Sequence, residues 1–444
     1  METAGLNESQ IINEVYIRSF TGNPFIDAGI AAVCALAEKK DPAKISKSDL
    51  VDVTQQIMDI YLDNNEPKWQ NLGKLFTINC ILLNPSNKKN RHRKYEEYLH
   101  ELMQKVSSAS SVGNCIACGS RDAQPLLHGN AQRYPYRDEY PLSGSGGVLN
   151  YFSFFERGVP LCPLCTLLLQ FMPLYVISNG KRLFLVHSHN PKIMLRIAQD
   201  SIISIKKNFS AGASLTFYQP PFKFFNINEC AINVAREVIE KASVYEGKSG
   251  KTAIRLYSFV NSGQLNRFDF VDLPGEVFEF LEEANLGEMK ENINDLFRES
   301  KNVTKKGRDI YSCLVNDFDI SSPFFLRKRE RNVVGGWQLF ELYLLRVRKM
   351  EKERIEIIKK VGKRLYEYLK TDFKKLRDLE AEEYREFRLA LERFQKMTLI
   401  YEIDDFPLLF PKDEKGRVRW RETQHLLLMY IYELVNKDKM EVKA

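Results

Sequence analysis

Four of the eight cysteines fall into two pairs with the same spacing, Cys115-Ile-Ala-Cys118 and Cys162-Pro-Leu-Cys165. Two intervening residues let both thiolates of a pair grip one ion from a tight knuckle. Two such knuckles close a tetrahedral site suited to structural Zn2+, with no open position for catalysis. The 43 residues between Cys118 and Cys162 exceed a usual ribbon interval, so an insertion, Arg121 to Pro160, must loop out. Its alternatives are four unligated core thiols or a redox pair. Neither pair sits at a thioredoxin-like strand-to-helix step. Cys34, Cys80, Cys230 and Cys313 stand singly and read as small buried hydrophobes.

The remaining candidate chemistry is polar and positive. Ser86 to Lys94 carries five fixed charges, Lys88, Lys89, Arg91, Arg93 and Lys94, around Asn90, and no acid. Such a run suits phosphate contacts, which position a protein without reading sequence. In the insertion, Arg133 and Arg137 lie among Tyr134, Tyr136 and Tyr140, and Lys181-Arg182 follows the second pair. Basic groups interleaved with stacking groups suit nucleic-acid backbones. Asn130, Gln132, Arg133, Arg137 and Asn150 are short polar or bidentate side chains able to read base edges from a metal-anchored loop. Asn23, in the Gly22-Asn23-Pro24 turn, is a second candidate reader; alternatively it caps local backbone groups.

Other chemistries lack their residues. The sequence has no Gly-x-x-x-x-Gly-Lys-Ser/Thr loop, no Gly-x-Ser-x-Gly elbow and no His-Glu-x-x-His helix. His187-Ser188-His189 alternates correctly for a metal at a strand edge, but no Asp or Glu lies nearby in sequence to complete a nuclease site. Asp404-Asp405 reads as a solvated helix end. A non-enzyme is expected.

Composition agrees with that class. The chain is 44% hydrophobic and 28% charged, with a formal charge of +7. So small an excess confines any nucleic-acid footprint to local clusters. No apolar run reaches the ~18 residues of a membrane span, and Met1 to Gln10 lacks the order of a signal peptide. Few cysteines for the length exclude a disulfide scaffold. A cytoplasmic protein without membrane contact is expected.

The elements that must position these groups are read from periodicity. Asp27 is placed to cap a helix through Leu36, and Leu50–Leu62 and Tyr95–Val106 show helical spacing. Ser178-Asn179-Gly180-Lys181 signals a hairpin into Leu183–Val186. Ser214–Tyr218 and Ala253–Val260 read as strands, with Ala231–Ala242 a helix between them. Ile355 to Leu379 predicts one long amphipathic helix, continued by Phe387–Met397 and His425–Leu434. Glu351 to Arg377 holds ten Lys/Arg against five Asp/Glu, a basic stretch that could line a nucleic-acid path. The expected fold is α+β: a mixed N-terminal domain, residues 1–332, with a zinc-ribbon-like four-cysteine site and long insertion, then an all-α bundle, residues 333–444. Arg327 to Asn332 with Gly335-Gly336 is the expected hinge.

Taken in order, several motifs resemble the large subunit of a type I-B CRISPR surveillance complex (Cascade), in its Cst-type branch. They are Phe20-Thr21-Gly22-Asn23-Pro24-Phe25-Ile26-Asp27-Ala28-Gly29, Cys115-x-x-Cys118-Gly, Asn150-Tyr151-Phe152, Leu161-Cys162-Pro163-Leu164-Cys165, Asn261-Ser262-Gly263-Gln264 before Leu273-Pro274, and Gly336-Trp337. The resemblance implies a non-catalytic subunit that reads the protospacer-adjacent motif (PAM) in duplex DNA and helps open the strands, leaving the rest of the sequence to guide pairing. It implies as partners crRNA, target double-stranded DNA, the Cascade backbone and handle-binding subunits, and a helicase-nuclease. A small subunit translated from the same C-terminal region is also implied. The competing classes are a zinc-containing transcription regulator and a metal-dependent nuclease built on His187 and His189.

Overall fold

The computed structural model describes residues 17–63, 65–69, 71–106, 113–128, 131–136, 139, 141, 158–179, 182–222, 224–242, 252–261, 266–304, 307–327, 330–370 and 373–441. It is a mixed helix-and-sheet chain with the four cysteines clustered and a helical C-terminal region. Two compact units emerge: residues 1–231 with 252–272, and residues 232–251 with 273–444.

The first unit is organised around α1 (Pro24–Leu36), buried along its whole length from Ile26. Its cap is Asn23, four residues before the Asp27 expected from sequence. Asn23 Oδ1 accepts from the Phe25 and Ile26 N–H groups at 3.1 and 3.3 Å, and Pro24 opens the helix. Asp27 instead lies inside α1, where its carboxylate accepts from Thr21 N–H, Thr21 hydroxyl and Gly22 N–H at 2.6, 2.8 and 3.0 Å. Gly22 has φ +86°, a left-handed conformation that glycine adopts without strain. The Thr-Gly-Asn-Pro motif is thus a closed turn folded over a buried carboxylate.

α2 (Lys47–Tyr61) starts with a Ser46/Asp49 capping box. β1 (Leu62–Asp63) and β2 (Glu66–Pro67) form a minimal hairpin before α3 (Arg91–Lys105). Within the insertion, β3 (Leu126–His128) pairs antiparallel with β4 (Ala131–Arg133). α4 (Pro163–Phe171) follows the second cysteine pair. It approaches α1 so closely that a Cβ on Gly29 would lie 2.1 Å from the Leu168 carbonyl oxygen.

β5 (Ile177–Asn179) and β6 (Arg182–Ser188) form the expected hairpin, with Asn179 opposite Arg182. α5 (Pro191–Ser210), β7 (Ile254–Asn261) and β8 (Asn266–Leu273) complete the series with the start of α6 (Ile227–Ala242), which from Ile232 on belongs to the second unit, and the sheet order is β5-β6-β7-β8. Ser214–Tyr218 is not a strand. It makes single bridges, Leu215 to Trp69 and Tyr218 to Ile177, because Pro220 and Pro221 follow and have no N–H for a ladder.

Besides α6 from Ile232 on, the second unit comprises α7 (Gly275–Ala284), α8 (Met289–Glu299), α9 (Ile310–Val315), the short hairpin β9 (Leu326–Arg327) and β10 (Asn332–Val333), and α10 (Gly336–Arg346). α11 (Lys352–Leu369), α12 (Leu376–Leu379), α13 (Tyr384–Thr398), α14 (Phe406–Leu409) and α15 (Trp420–Glu441) follow. Its compact part takes in residues from Leu273, upstream of Val333. Aromatic packing accounts for this: Tyr343 of α10 meets Phe280 of α7 at 5.9 Å, and Phe340 meets Phe325 at 5.0 Å. The expected long helix over Ile355–Leu379 is divided, with α11 ending at Leu369 and α12 separate. Part of the basic stretch in and just after α11 is ion-paired. Arg354 pairs with Glu422 at 2.9 Å, Lys360 with Glu402 and Asp405 at 3.0 Å each, and Lys370 with Asp438 at 3.3 Å.

Candidate functional site

The two knuckles are built by unlike means. Cys115 begins a turn closed by Gly119 N–H donating to the Cys115 carbonyl at 2.8 Å, with Gly119 at φ +64°. Cys162 is the N-cap of α4, and Pro163 takes the first helical position, where a missing N–H costs nothing. The knuckles are tied directly, since Ile116 N–H donates to the Pro160 carbonyl at 3.1 Å and Gln124 N–H to Leu161 at 3.2 Å. The four Sγ atoms lie within 4.8 Å of one another, with Cys118 and Cys162 3.9 Å apart. Tetrahedral Zn–S bonds of ~2.3 Å require sulfurs ~3.8 Å apart. Backbone N–H groups of Cys162 and Cys165 point at the Cys115 and Cys162 sulfurs from 3.2 and 3.4 Å, the polar second layer that thiolates need.

The thiols titrate as a set. At Cys115 the hydrogen bond with Cys118 pulls upward, those with Cys162 and Cys165 more than offset it, and the group settles at about 6. Bonds from Cys115, then Cys162 and Cys165, hold Cys118 far below the usual thiol range. Bonds with Cys115 and then Cys118 push Cys162 and Cys165 up. Ready ionisation at part of the cluster is what a divalent cation needs to displace the remaining protons. These residues fit a structural ion, and among the described residues no other His, Cys, Asp or Glu group does. Burial pushes the lone Cys34 thiol up to about 12, as expected for an inert core cysteine.

A second anchor, absent from the sequence reading, holds the insertion at mid-length. The Glu139 carbonyl accepts from Tyr98 hydroxyl at 2.9 Å and from Gln170 Nε2 at 2.5 Å, joining the loop to α3 and α4. The Glu139 carboxylate accepts from Arg133 and from Tyr136 N–H at 2.8 Å each. The Arg133 guanidinium also lies over the Tyr136 ring at 5.2 Å. The β3–β4 hairpin is fixed to α3 by Leu127 N–H donating to Glu101 at 2.9 Å and by Lys105 donating to the Pro125 carbonyl at 2.9 Å. Gln132 stands exposed on β4, opposite Leu127.

The nominated nucleic-acid residues are placed unequally. Lys88, Lys89, Arg93 and Lys94 are exposed. Arg91 is 4% exposed and donates to the carbonyls of Asn65 and Asn84. The sequence run contains no acid, but the β2 residue Glu66 comes within 3.4 Å of Lys88 and 3.7 Å of Arg91. Lys94 donates to Asn87 at 2.8 Å, and Arg93 meets Glu97 at 3.8 Å. Asn90 precedes α3 as its N-cap without a capping side-chain bond. Asn23 has its oxygen committed to the α1 cap. Arg182 begins β6, half-buried. Asn130, Arg137, Asn150 and Lys181 lie outside the described residues.

His187 does not stand open at a strand edge, as a metal ligand there would. It is buried, and Nε2 lies 3.0 Å from Asp27 Oδ2, a carboxylate 160 residues away in sequence. The ring joins the hydrogen-bonded turn at the start of α1, while His189 remains exposed 5.7 Å from it, centroid to centroid.

Fold and site together define an α+β chain whose metal-binding cysteine knuckles pin a long insertion. A family model described as CRISPR-associated protein (Cas_CXXC_CXXC) matches residues 108–177, the segment that carries both knuckles and the insertion. This match supports a CRISPR-associated protein. No curated protein and no solved structure matches the chain. Among the described residues no helix is long and apolar enough to cross a membrane.

Proposed function

We propose that this chain is the non-catalytic large subunit of a crRNA-guided type I-B Cascade complex, reading the PAM in duplex DNA and promoting strand opening for antiviral defence. The observation that carries the reading is the family match over the cysteine segment, whose four sulfurs converge and pin a loop bearing the exposed Gln132. Base-edge reading requires side chains held rigidly at groove depth. The metal centre at the base of the insertion and Glu139 at its middle supply that rigidity. The ion is Zn2+, since four thiolates in tetrahedral array favour it over harder cations. The exposed lysines around Lys88 contact phosphates and set orientation. The working partners are crRNA, target DNA, the backbone and handle-binding subunits, a small subunit from the same C-terminal region, and a helicase-nuclease.

Affinity purification of the tagged chain from its native cells tests this. Co-purification of a guide RNA with partner subunits, and PAM-dependent binding of duplex DNA by the assembly, is the expected result. A chain that recovers no RNA and binds duplexes without regard to PAM ends the reading.

A further inference from the structure

α4 carries the second cysteine pair at its start and, five residues beyond Cys165, a glutamine that the metal centre does not use. Gln170 is 1% exposed, on a helix buried along its whole length. The other polar side chain of α4, Thr166, bonds within its own helix, its hydroxyl donating to the Cys162 carbonyl at 3.1 Å. Gln170 instead reaches other segments. Its Oε1 accepts from the Tyr95 hydroxyl of α3 at 3.3 Å. Its Nε2 donates to the Glu139 carbonyl at 2.5 Å and to the Tyr98 hydroxyl of α3 at 3.5 Å. Tyr98 in turn donates to the same Glu139 carbonyl at 2.9 Å, and the Gln170 main-chain carbonyl accepts from the Tyr61 hydroxyl of α2 at 2.7 Å. Burial pushes all three phenols up, so each keeps the proton it donates.

These partners fix the orientation of the amide. Tyr95 supplies a proton and so faces Oε1, whereas the Glu139 carbonyl only accepts and so faces Nε2. A buried amide is costly unless it is bonded, and an apolar side chain of similar length would fill the same space without that cost. What the amide adds is direction, since it seats one backbone carbonyl of the insertion at one place. The seat is passed on to the strand that bears Gln132. The Glu139 carboxylate accepts from Tyr136 N–H and from Arg133 at 2.8 Å each. Arg133 and Gln132 are successive on β4, so their side chains leave opposite faces, Arg133 toward Glu139 and Gln132 exposed. Cys165 and Gln170 are separated by only ~7.5 Å of helical rise. One short helix therefore registers both the base and the middle of the insertion.

We infer that Gln170, with Tyr98, is a positioning residue for sequence reading, setting where Gln132 stands and so determining PAM selectivity without itself touching DNA. It rests on the proposed function, because it concerns the same reader. A bidentate amide contact to a base edge needs two hydrogen bonds in register, and a displacement of about 1 Å is enough to break them. Phosphate contacts by the exposed lysines before α3 tolerate that displacement, because attraction between charges falls off gradually with distance.

The test uses the assembled complex with Gln170→Met, Tyr98→Phe and the two combined, each substitution close in shape to the residue it replaces. Duplexes carrying the parent's best and worst PAM, chosen from a randomised library, are titrated over a range of salt. Each single variant should lower the ratio of the two affinities by about threefold, and the double variant by about tenfold or more, as one and then two hydrogen bonds are lost. Affinity for the worst PAM, the salt slope and the zinc content should match the parent. Amide exchange should rise across β3 and β4 and stay at the parental rate in the cysteine knuckles.

Binding to both duplexes that falls by one common factor overturns the inference, because a merely structural residue changes the folded fraction and not the choice between targets. A ratio that falls only together with the zinc content overturns it too, leaving Gln170 a support of the metal centre. A parent complex without PAM preference fails the proposed function and the inference with it. A parent with that preference and a double variant that keeps it in full fail the inference alone.

Discussion

At the scale of single residues, side chains of similar type have unlike jobs. Cys162 is at once a metal ligand, the cap of α4 and an acceptor for Cys165 N–H. Cys162→Ser should lower bound zinc well below one equivalent by elemental analysis and destabilise the first unit by more than about 3 kcal/mol in urea titration. Gly29 stands where a methyl group would strike the Leu168 carbonyl. Gly29→Ala gains about 1 kcal/mol of helix propensity and loses ~3 kcal/mol or more to backbone displacement. Its urea midpoint should therefore fall. In the insertion, Gln132 is exposed, whereas Arg133 is bound to the buried Glu139. Gln132→Ala should narrow the binding gap between correct and wrong PAM by ~1–3 kcal/mol with stability unchanged. Arg133→Ala should instead lower stability, because it removes the one cation shown bonded to a buried carboxylate. Full discrimination by the Gln132 variant would move the reader elsewhere.

At the scale of elements, the basic segment before and within α3 separates into two functions. Arg91 is a brace: its guanidinium satisfies two carbonyls beneath the β1–β2 hairpin. Arg91→Ala should cost about 1–3 kcal/mol of stability and leave the salt slope of DNA binding intact. Lys88, Lys89 and Arg93 are exposed, and their few pairs with acids are of the surface kind that contributes at most ~1 kcal/mol. Replacing these three by Ala should weaken binding to all targets alike and flatten the salt slope by about one unit per lost phosphate contact. An unaltered slope would make the segment a solvated turn.

At the scale of the molecule, the helical region from Leu273 onward forms one unit together with residues 232–251. Trp337 is its hub, 4.8 Å from Tyr430 of α15, with its backbone N–H donating to Glu433. An internally translated product beginning at Met350 would lose α10 and this contact, whereas one from Arg331–Gly336 would keep it. The upstream start should therefore give the stable species, found by intact-mass measurement of a C-terminally tagged chain. The product from Arg331–Gly336 exposes the face of α10 that Phe280 covers. A fragment of residues 273–444 should consequently melt higher, and resist proteolysis longer, than one of residues 333–444.

Local signals determined what depends on neighbours in sequence. Two-residue cysteine spacing dictates a knuckle, and Asn179-Gly180 dictates a tight hairpin. Apolar residues every three or four positions dictate the helices of residues 352–441, though not the break after Leu369. Exposure of the lysines at 88 and 89 follows from their solvation. What the tertiary structure alone decided involves groups remote in the chain, whose meeting depends on how layers pack. Asp27 and His187 become a buried pair because α1 is laid on β6. Glu66 neutralises part of a run that contains no acid of its own. Glu139 anchors the insertion through Tyr98 and Gln170, and acids of α15 and of the segment before α14 pair with Arg354, Lys360 and Lys370 of the basic stripe. Charge and hydrogen-bond partnership act over a few ångströms in space, so a sequence displays the donors but not the acceptors that folding brings to them.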